Sequence, residues 1–348
     1  MVGTRSWSPA TGRPGRRARR GTVTALATAV SLVLVGCSGS GDPATPGADE
    51  PGSQATAKGL TVSGQWPLTG FSAQGATPDY PVMVVKIDNS PSSSPQVGLR
   101  QADLVTEELV EGGSTRLAVF YYQRLPRRVG PVRSMRATDI GIVSPARAVL
   151  VASGGAPPTV RRVRAAGITA VTEGAPGFER DGGRRAPYNL FMRLRRLART
   201  LDAKDTVPAY LPFGQAADLP SGKPARSLAA VFSPAHTTRW RYRGGTYVNE
   251  NSFAAAGDRF KPDTVLVLRV RVGDAGYLDP AGNRVPETKF TGSGAALLFH
   301  GGRVVRGTWS KTLDSGLSLR TPQGALTVPT GHTWIELVPS NGGRVEIG

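Results

Sequence analysis

Short apolar runs alternate with helical patterns in the first half of the chain. Val82–Ile87, Val149–Ala152 and Ile168–Val171 are bounded by turn residues, which predicts three buried strands. Pro157–Ala166 predicts a helix between the last two, because it begins with proline and Gly167 follows it as a C-terminal cap. This alternation predicts a layered α/β domain with a mixed sheet.

Two further patterns complete this half. Leu104–Val110 and Thr115–Tyr122 predict the strands of a hairpin around Gly112-Gly113. In Asn189–Leu201 the leucines fall on one helical face and the arginines on the other, which predicts an amphipathic helix.

The second half contains short apolar runs separated by glycine-rich and polar turns, typical of antiparallel strands. Strands are predicted at Thr238–Tyr242, Thr246–Asn249, Thr264–Val272, Ala295–His300, Val304–Thr308, Leu326–Val328 and Trp334–Val338. The sequence therefore predicts the α+β class: an N-terminal layered α/β domain, followed by a smaller, mostly antiparallel β domain.

The N-terminal region indicates where the protein is located. Six arginines without any acidic residue precede an uncharged stretch, Gly21–Val35, which ends at Leu34-Val35-Gly36-Cys37. The stretch is shorter than the roughly 20 residues of a membrane span. Its charge order and the small residues before cysteine predict a lipoprotein signal peptide over residues 1–36, exported by the Sec or the Tat route. The mature protein would then be lipidated, with palmitate among its acyl chains, at Cys37.

The composition of the chain after residue 36 indicates its domain boundaries and excludes several kinds of site. Residues 37–59 predict a flexible tether, and a loop-like break near Gly214–Arg226 divides the folded part into domains 60–220 and 221–348. The formal charge is +18, and +12 without the six N-terminal arginines. Because Cys37 is the only cysteine, a lipidated chain has no thiol for a disulfide or a nucleophile. No nucleotide-binding glycine motif occurs, and the three histidines lack metal-ligand spacing, so no cofactor and no metal are predicted.

Arginines in two segments are candidate ligand-binding residues. After the turn at Gly130-Pro131, Arg133 and Arg136 flank Ser134, a combination suited to phosphate or carboxylate. The alternative is that these arginines pair with acids of the same domain. A second segment, around a Gly-Gly loop, supplies further polar candidates: Arg180, Asp181, Arg184 and Asn189, of which Asn189 could instead cap the following helix.

Acidic residues allow an enzymatic alternative. Glu107, Glu111 and Asp88 are candidate catalytic groups of an envelope hydrolase with arginine clamps. In one strand, however, Glu107 and Glu111 would lie about 13 Å apart, beyond the roughly 5–9.5 Å of paired glycosidase carboxylates. A two-residue turn would place Arg116 opposite Leu109, near both acids, and lower their pKa values. A salt-bridged sheet face is the alternative.

Five segments in matching order resemble one family, the YerB-like bacterial lipoproteins. They are KIDNS at Lys86–Ser90, QADLVTEELVEGGSTR at Gln101–Arg116, VGPVRSMR at Val129–Arg136, FERDGGRRAPYNL at Phe178–Leu190 and GHTWIELVP at Gly331–Pro339. The resemblance covers residues 65–340 and implies an α/β domain followed by a smaller C-terminal domain, with no known activity. One departure is Tyr188, where relatives tend to have histidine.

These patterns predict a lipid-anchored, extracytoplasmic envelope protein whose arginine-rich site, including Arg116, binds an anionic ligand without catalysis. The expected partners are the membrane, through the lipid, and an anionic envelope ligand or an envelope protein, with no nucleic acid. A C-terminal edge strand offered to a protein partner is a further alternative. The sequence makes no prediction of oligomeric state.

Overall fold

The computed structural model of the protein describes residues 64–73, 77–203 and 206–348. The predicted signal peptide, Cys37 and the tether to residue 59 lie outside these residues. No helix among the described residues is long and apolar enough to cross a membrane.

Strands dominate the described residues, and the three α-helices all belong to the first half. The strands are β1 (Met83–Asn89), β2 (Leu104–Leu109), β3 (Thr115–Tyr121), β4 (Val149–Val151), β5 (Ala170–Val171), β6 (Phe178–Arg180), β7 (Leu190–Met192), β8 (Phe213–Gly214), β9 (Lys223–Pro224), β10 (Ser227–Ser233), β11 (His236–Arg243), β12 (Thr246–Asn249), β13 (Thr264–Leu278), β14 (Arg284–Lys289), β15 (Gly292–His300), β16 (Arg303–Lys311), β17 (Ser318–Thr321), β18 (Gly324–Ala325), β19 (Val328–Pro329), β20 (Thr333–Pro339) and β21 (Arg344–Ile347). The helices are α1 (Asp139–Val143), α2 (Pro157–Ala165) and α3 (Leu194–Ala198), with single 3₁₀ turns at Pro91–Ser93, Leu99–Gln101, Glu111–Gly113, Ser144–Ala146 and Ala216–Asp218.

A mixed sheet forms the centre of the fold, in the order β18-β17-β16-β15-β13-β20-β2-β3-β1-β4-β5. Strand β20 lies between β13 and β2 and is parallel to both, so the sheet passes without interruption from the second half of the chain into the first. Strands β1, β2, β4 and β5 run in one direction, and β3 is antiparallel to β1 and β2. The predicted α+β class, with a mixed N-terminal sheet and a mostly antiparallel C-terminal region, is confirmed.

A four-stranded antiparallel sheet, β12-β11-β10-β21, covers one face of the central sheet. Trp240 of this sheet packs edge-on against Trp334 of β20, with ring centroids 5.0 Å apart. The other face buries Ile142 and Val143 of α1 and Val163 of α2. Both faces of the central sheet are therefore covered, which explains why β1 and β3 are buried along their whole length.

The predicted helix over Asn189–Leu201 is only partly correct. Leu190–Met192 is strand β7, paired with β6, and only Leu194–Ala198 is helical. The backbone N–H of Val132 donates to the Leu190 carbonyl, and Val129 and Met192 exchange two hydrogen bonds. The pattern of leucines was real, but these long-range backbone partners outweigh the helical tendency of the first turn.

The hairpin β2–β3 is confirmed, but its register differs from the prediction. The loop contains five residues, 110–114, and Arg116 pairs with Glu108, while Leu109 pairs with Thr115. Gly112 and Gly113 have φ of 69° and 73°, which this longer turn requires. Because a shift of one residue exchanges the two faces of a strand, Arg116 and Glu107 lie on opposite sides of the sheet.

Candidate functional site

The carboxyl ends of β1, β2 and β4 meet at one edge of the central sheet, which we call the carboxyl edge. Ligands of open α/β sheets bind at this kind of edge. The segment 129–136 crosses it: the Arg133 N–H donates to the Lys86 carbonyl at 2.9 Å, and the Ser153 N–H donates to the Arg133 carbonyl at 3.0 Å. This segment thereby places its arginines beside the residues that end β1 and β4.

Three predicted arginines come together at the carboxyl edge, each with a partner inside the protein. Arg133 Nε lies 3.0 Å from Asp88 Oδ2. Arg136 forms a bidentate pair with Glu111, in which Nε donates to Oε2 at 2.8 Å. Arg116 Nη1 donates to the Ser134 carbonyl at 2.8 Å. Asp88 and Glu111 therefore pair with arginines, as the alternative of ion pairs within the domain predicts, whereas Glu107 accepts from none of the three.

The three arginines differ in how much of the side chain is exposed to solvent. The side chain of Arg133 is 22% exposed, while those of Arg116 and Arg136 are 5% and 10% exposed. Burial lowers the pKa of Arg116 to about 10. Burial opposes ionisation of Glu111, but the hydrogen bond from Arg136 and the two guanidinium charges outweigh it and lower the Glu111 pKa. A lowered pKa is unsuitable for a general acid, so Glu111 is suited to holding arginines.

A fully buried ionic triple, which the sequence analysis missed, lies under the arginines. Lys86 Nζ contacts Glu108 Oε1 and lies 2.6 Å from Asp139 Oδ1, with all three side chains fully buried. Burial raises the pKa of Glu108, against the attraction of Lys86. The one sequence signal for this triple is a lysine inside the apolar run Val82–Ile87.

Glu107 lies on the opposite face, fully buried under β11. Its carboxylate accepts hydrogen bonds from Asn89 at 2.9 Å, Thr115 at 2.6 Å and Thr238 at 2.9 Å, and contacts His236 Nε2 at 2.9 Å. Burial raises its pKa, but the hydrogen bond and charge of His236 outweigh this, and the net pKa is lowered.

Glu336 of β20 pairs with Glu107 across the sheet and is also fully buried. Its Oε1 accepts from Trp240 Nε1 at 2.7 Å. Burial and the negative charge of Glu107 raise the pKa of Glu336 well above its usual range. The two carboxyls form an acid pair of the kind that some hydrolases use, but neither is exposed to a substrate.

The second candidate segment, the β6–β7 region, is held in place by ion pairs and hydrogen bonds of its own residues. Arg180 holds both oxygens of Glu173, at 2.6 and 2.7 Å, and donates to Asn189 Oδ1 at 2.7 Å. Asn189 therefore caps no helix, because α3 begins after Arg193 with no side-chain cap. Asp181 accepts from Arg128 Nη2 at 2.8 Å. These residues stabilise the β6–β7 region and leave its loop to face solvent.

A groove of 600 Å³ joins this loop to the carboxyl edge. It is lined by Ser92, Ser94, Arg184, Arg185, Ala186, Pro187 and Tyr188. Arg184 donates to the carbonyls of Ser93, Ser94 and Pro95 at 2.8–3.1 Å, which fixes its guanidinium in the wall. The Tyr188 ring lies 5.2 Å from Arg133 Cζ, so the position that departs from the family pattern lies against this partly exposed arginine.

The groove therefore combines parts of two sequence segments, the loop after β1 and the β6–β7 loop, and Arg133 of segment 129–136 lies beside it against Tyr188. Two arginines line it and no carboxylate does. Arg185 is exposed, and its side chain makes no hydrogen bond or ion pair with the described residues. Within those residues no group of three or more His, Cys, Asp or Glu side chains is arranged to hold a metal ion.

Comparison with known proteins agrees with this architecture. Residues 68–207 match the N-terminal domain, and residues 228–335 the C-terminal domain, of the family described as "Protein of unknown function (DUF3048)". The putative lipoprotein YerB of Bacillus subtilis (strain 168) is 24% identical over 291 residues, covering 78% of this chain and 86% of the relative. The crystal structure of the YerB protein from Bacillus subtilis has the same fold, with a TM-score of 0.68 at 19% identity over 81% of this chain and 99% of the other. The chain thus belongs to the YerB-like family, a two-domain family of unknown function.

Proposed function

We propose that this protein is a lipid-anchored envelope protein that binds an anionic group without catalysing a reaction. The N-terminal arginines, the apolar stretch and Cys37 support an anchor on the extracytoplasmic face of the cell membrane. The name of the Bacillus relative, a putative lipoprotein, supports the same location. The tether 37–59 would hold the folded part away from the bilayer.

Binding is favoured over catalysis because the candidate acids are either paired with arginines or fully buried. Asp88 accepts from Arg133 and from the Ser90 N–H, each at 3.0 Å, and Glu111 is held by Arg136. The pKa of Glu107 is lowered and that of Glu336 is raised, as in a catalytic base and acid, but both residues are fully buried. A general acid or base must lie within hydrogen-bonding reach of its substrate, and these two carboxyls lie between two packed sheets.

The observation that carries the proposal is the groove beside Arg133. Its two lining arginines face no lining carboxylate, and Arg185 has an uncommitted planar guanidinium suited to phosphate or carboxylate. Tyr188 joins this groove to Arg133, which is partly exposed at the carboxyl edge and paired with Asp88. Arg116 and Arg136 then have an indirect role, because they and Glu111 fix the segment that carries Arg133.

Isothermal titration calorimetry with the full chain in nonionic detergent tests this proposal. The probe is a glycerol-phosphate fragment with two phosphates, at low and moderate salt. Saturable binding is expected, weakened roughly 10-fold or more by Arg185→Ala and by Arg133→Ala, since a charge-assisted hydrogen bond contributes about 1.5–3 kcal/mol. Arg161→Ala is the matched control, because Arg161 is an exposed arginine of α2 outside the groove.

Two results would contradict the proposal. One is no binding of the fragment at low salt, and the other is binding that all three variants retain equally. In either case Arg133 and Arg185 have structural or solubility roles, and the search for a partner moves to other surfaces.

A further inference from the structure

Two more grooves on the same side of the molecule are lined by arginines. The first is 610 Å³ in volume and is formed by Asp79, Tyr80, Gln101, Gln123, Arg124, Leu125, Arg195, Ala198 and Arg199. The second is 440 Å³ in volume and is formed by Val97, Gly98, Gln101, Pro126, Arg127, Arg128, Glu179, Arg193 and Asp258. We call these the amino groove and the middle groove, and the groove beside Tyr188 the carboxyl groove.

The three grooves are neighbours. Gln101 lines both the amino and the middle groove. The middle and carboxyl grooves share no lining residue, but an arginine from each packs on the same buried ring: Arg128 Cζ lies 3.8 Å and Arg184 Cζ 5.2 Å from the Phe191 centroid. The amino groove adjoins the end of β3, and the carboxyl groove adjoins the end of β1. Because β1 and β3 are antiparallel, these two ends lie at opposite edges of the sheet. The path through the three grooves is therefore at least as long as β3, about 20 Å.

Charge along this path is strongly positive. Eight arginines line the three grooves, against three carboxylates. Two of the acids are already engaged: Glu179 pairs with Arg128 and Arg193, and Asp258 accepts from the Gly98 and Arg100 N–H groups. By contrast, four exposed guanidinium groups make no hydrogen bond or ion pair with described residues, and they are distributed over all three grooves: Arg124, Arg127, Arg185 and Arg199.

We infer that the three grooves form one track for an extended, flexible polyanion with repeated phosphate groups. This inference rests on the proposed function and names the class of its ligand. Free arginines at intervals over about 20 Å match repeated charges better than one small anion. Concave grooves admit a chain but exclude a flat membrane surface. Aromatic side chains line only the two ends, at Tyr80 and Tyr188, so the track lacks the series of stacking platforms that single-stranded nucleic acid uses.

The test compares a two-phosphate with a twelve-phosphate glycerol-phosphate chain, on the full protein in nonionic detergent. The long chain is expected to bind at least roughly 10-fold more tightly, since its additional phosphates reach the other grooves intramolecularly. Arg124→Ala/Arg199→Ala in the amino groove and Arg185→Ala in the carboxyl groove should each weaken it several-fold. Each lost phosphate contact should also reduce the slope of log K against log salt by about 0.7, taking the value for single-stranded nucleic acid. Arg161→Ala should change neither quantity.

The outcomes separate this inference from the function beneath it. If both chains bind alike and only Arg185→Ala weakens them, the track is refuted while the single anion site stands. If neither chain binds, the proposed function itself fails. Tighter, arginine-dependent binding of phosphatidylglycerol vesicles or of an oligodeoxythymidine with twelve phosphates would overturn the assignment of ligand class.

Discussion

Asp103 is a buried acid beside the amino groove, and it makes the stability of this protein depend on pH. Only 2% of the residue is exposed, and its Oδ2 accepts the backbone N–H groups of Tyr122 at 2.6 Å and Gln123 at 3.0 Å. Burial raises the pKa of Asp103 to about 7, although both N–H donors and the charge of His332 act against this. The folded chain therefore keeps a proton on Asp103 at pH values where the unfolded chain has released it.

The sign and size of the effect follow from this difference. Above pH 4 the unfolded state binds fewer protons than the folded state, so stability falls as pH rises and levels off above pH 7. A difference of about three pKa units corresponds to about 4 kcal/mol, lost at about 1.4 kcal/mol per pH unit between pH 5 and 7. Asp103→Asn keeps an oxygen for the two N–H donors but cannot ionise. The unfolding free energy of the variant should therefore rise relative to that of the native chain by about 2–3 kcal/mol between pH 5 and 7.

Urea unfolding followed by tryptophan fluorescence, at half-unit steps from pH 5 to 8, measures this difference in unfolding free energy. Asp79→Asn, which removes an exposed carboxylate from the amino groove, is the control for the loss of one charge. A difference between Asp103→Asn and the native chain that stays constant with pH would refute the reasoning. It would mean that water or a local opening solvates the carboxylate.

Three further predictions concern the anchor and the buried charges. Cys37→Ser should abolish incorporation of labelled palmitate and release the protein from the membrane fraction, whereas unchanged fractionation would exclude the lipid anchor. Lys86→Met should lower the unfolding free energy by about 3–5 kcal/mol, because Glu108 and Asp139 then lose their buried cation. A loss under about 1 kcal/mol, measured by urea unfolding, would show that the ionic triple adds little to stability. Glu336→Gln should stabilise the protein more at pH 8 than at pH 5, since the raised pKa of Glu336 makes its ionisation costly at high pH. Glutamine can still accept the hydrogen bond from Trp240. An equal change in unfolding free energy at both pH values would contradict this.

Elements whose apolar pattern is local were predictable from the sequence. The strand at Val82–Ile87, the hairpin strands and the helix beginning at Pro157 are confirmed, because side-chain period and turn residues act over a few positions. The candidate arginines Arg116, Arg133 and Arg136 do lie together, as their shared chemistry indicated. The length of the turn was not predictable from two glycines alone, and its extra residues moved Arg116 to the other face of the sheet from Glu107.

By itself, the sequence determined the class of the fold and the residue types available for binding, and its N-terminal pattern predicts a lipoprotein signal. Only the tertiary structure decided which of them are free. Strand β20 brings Glu336 to Glu107 from more than 200 positions away, and Leu190–Met192 is a strand because its backbone partners lie around Val129–Val132. Arg136 and Arg185 are the same residue type in similar polar segments, yet one is paired and buried and the other is exposed. Long-range contacts set burial and pairing, and these two quantities separate a structural arginine from one that is available to a ligand.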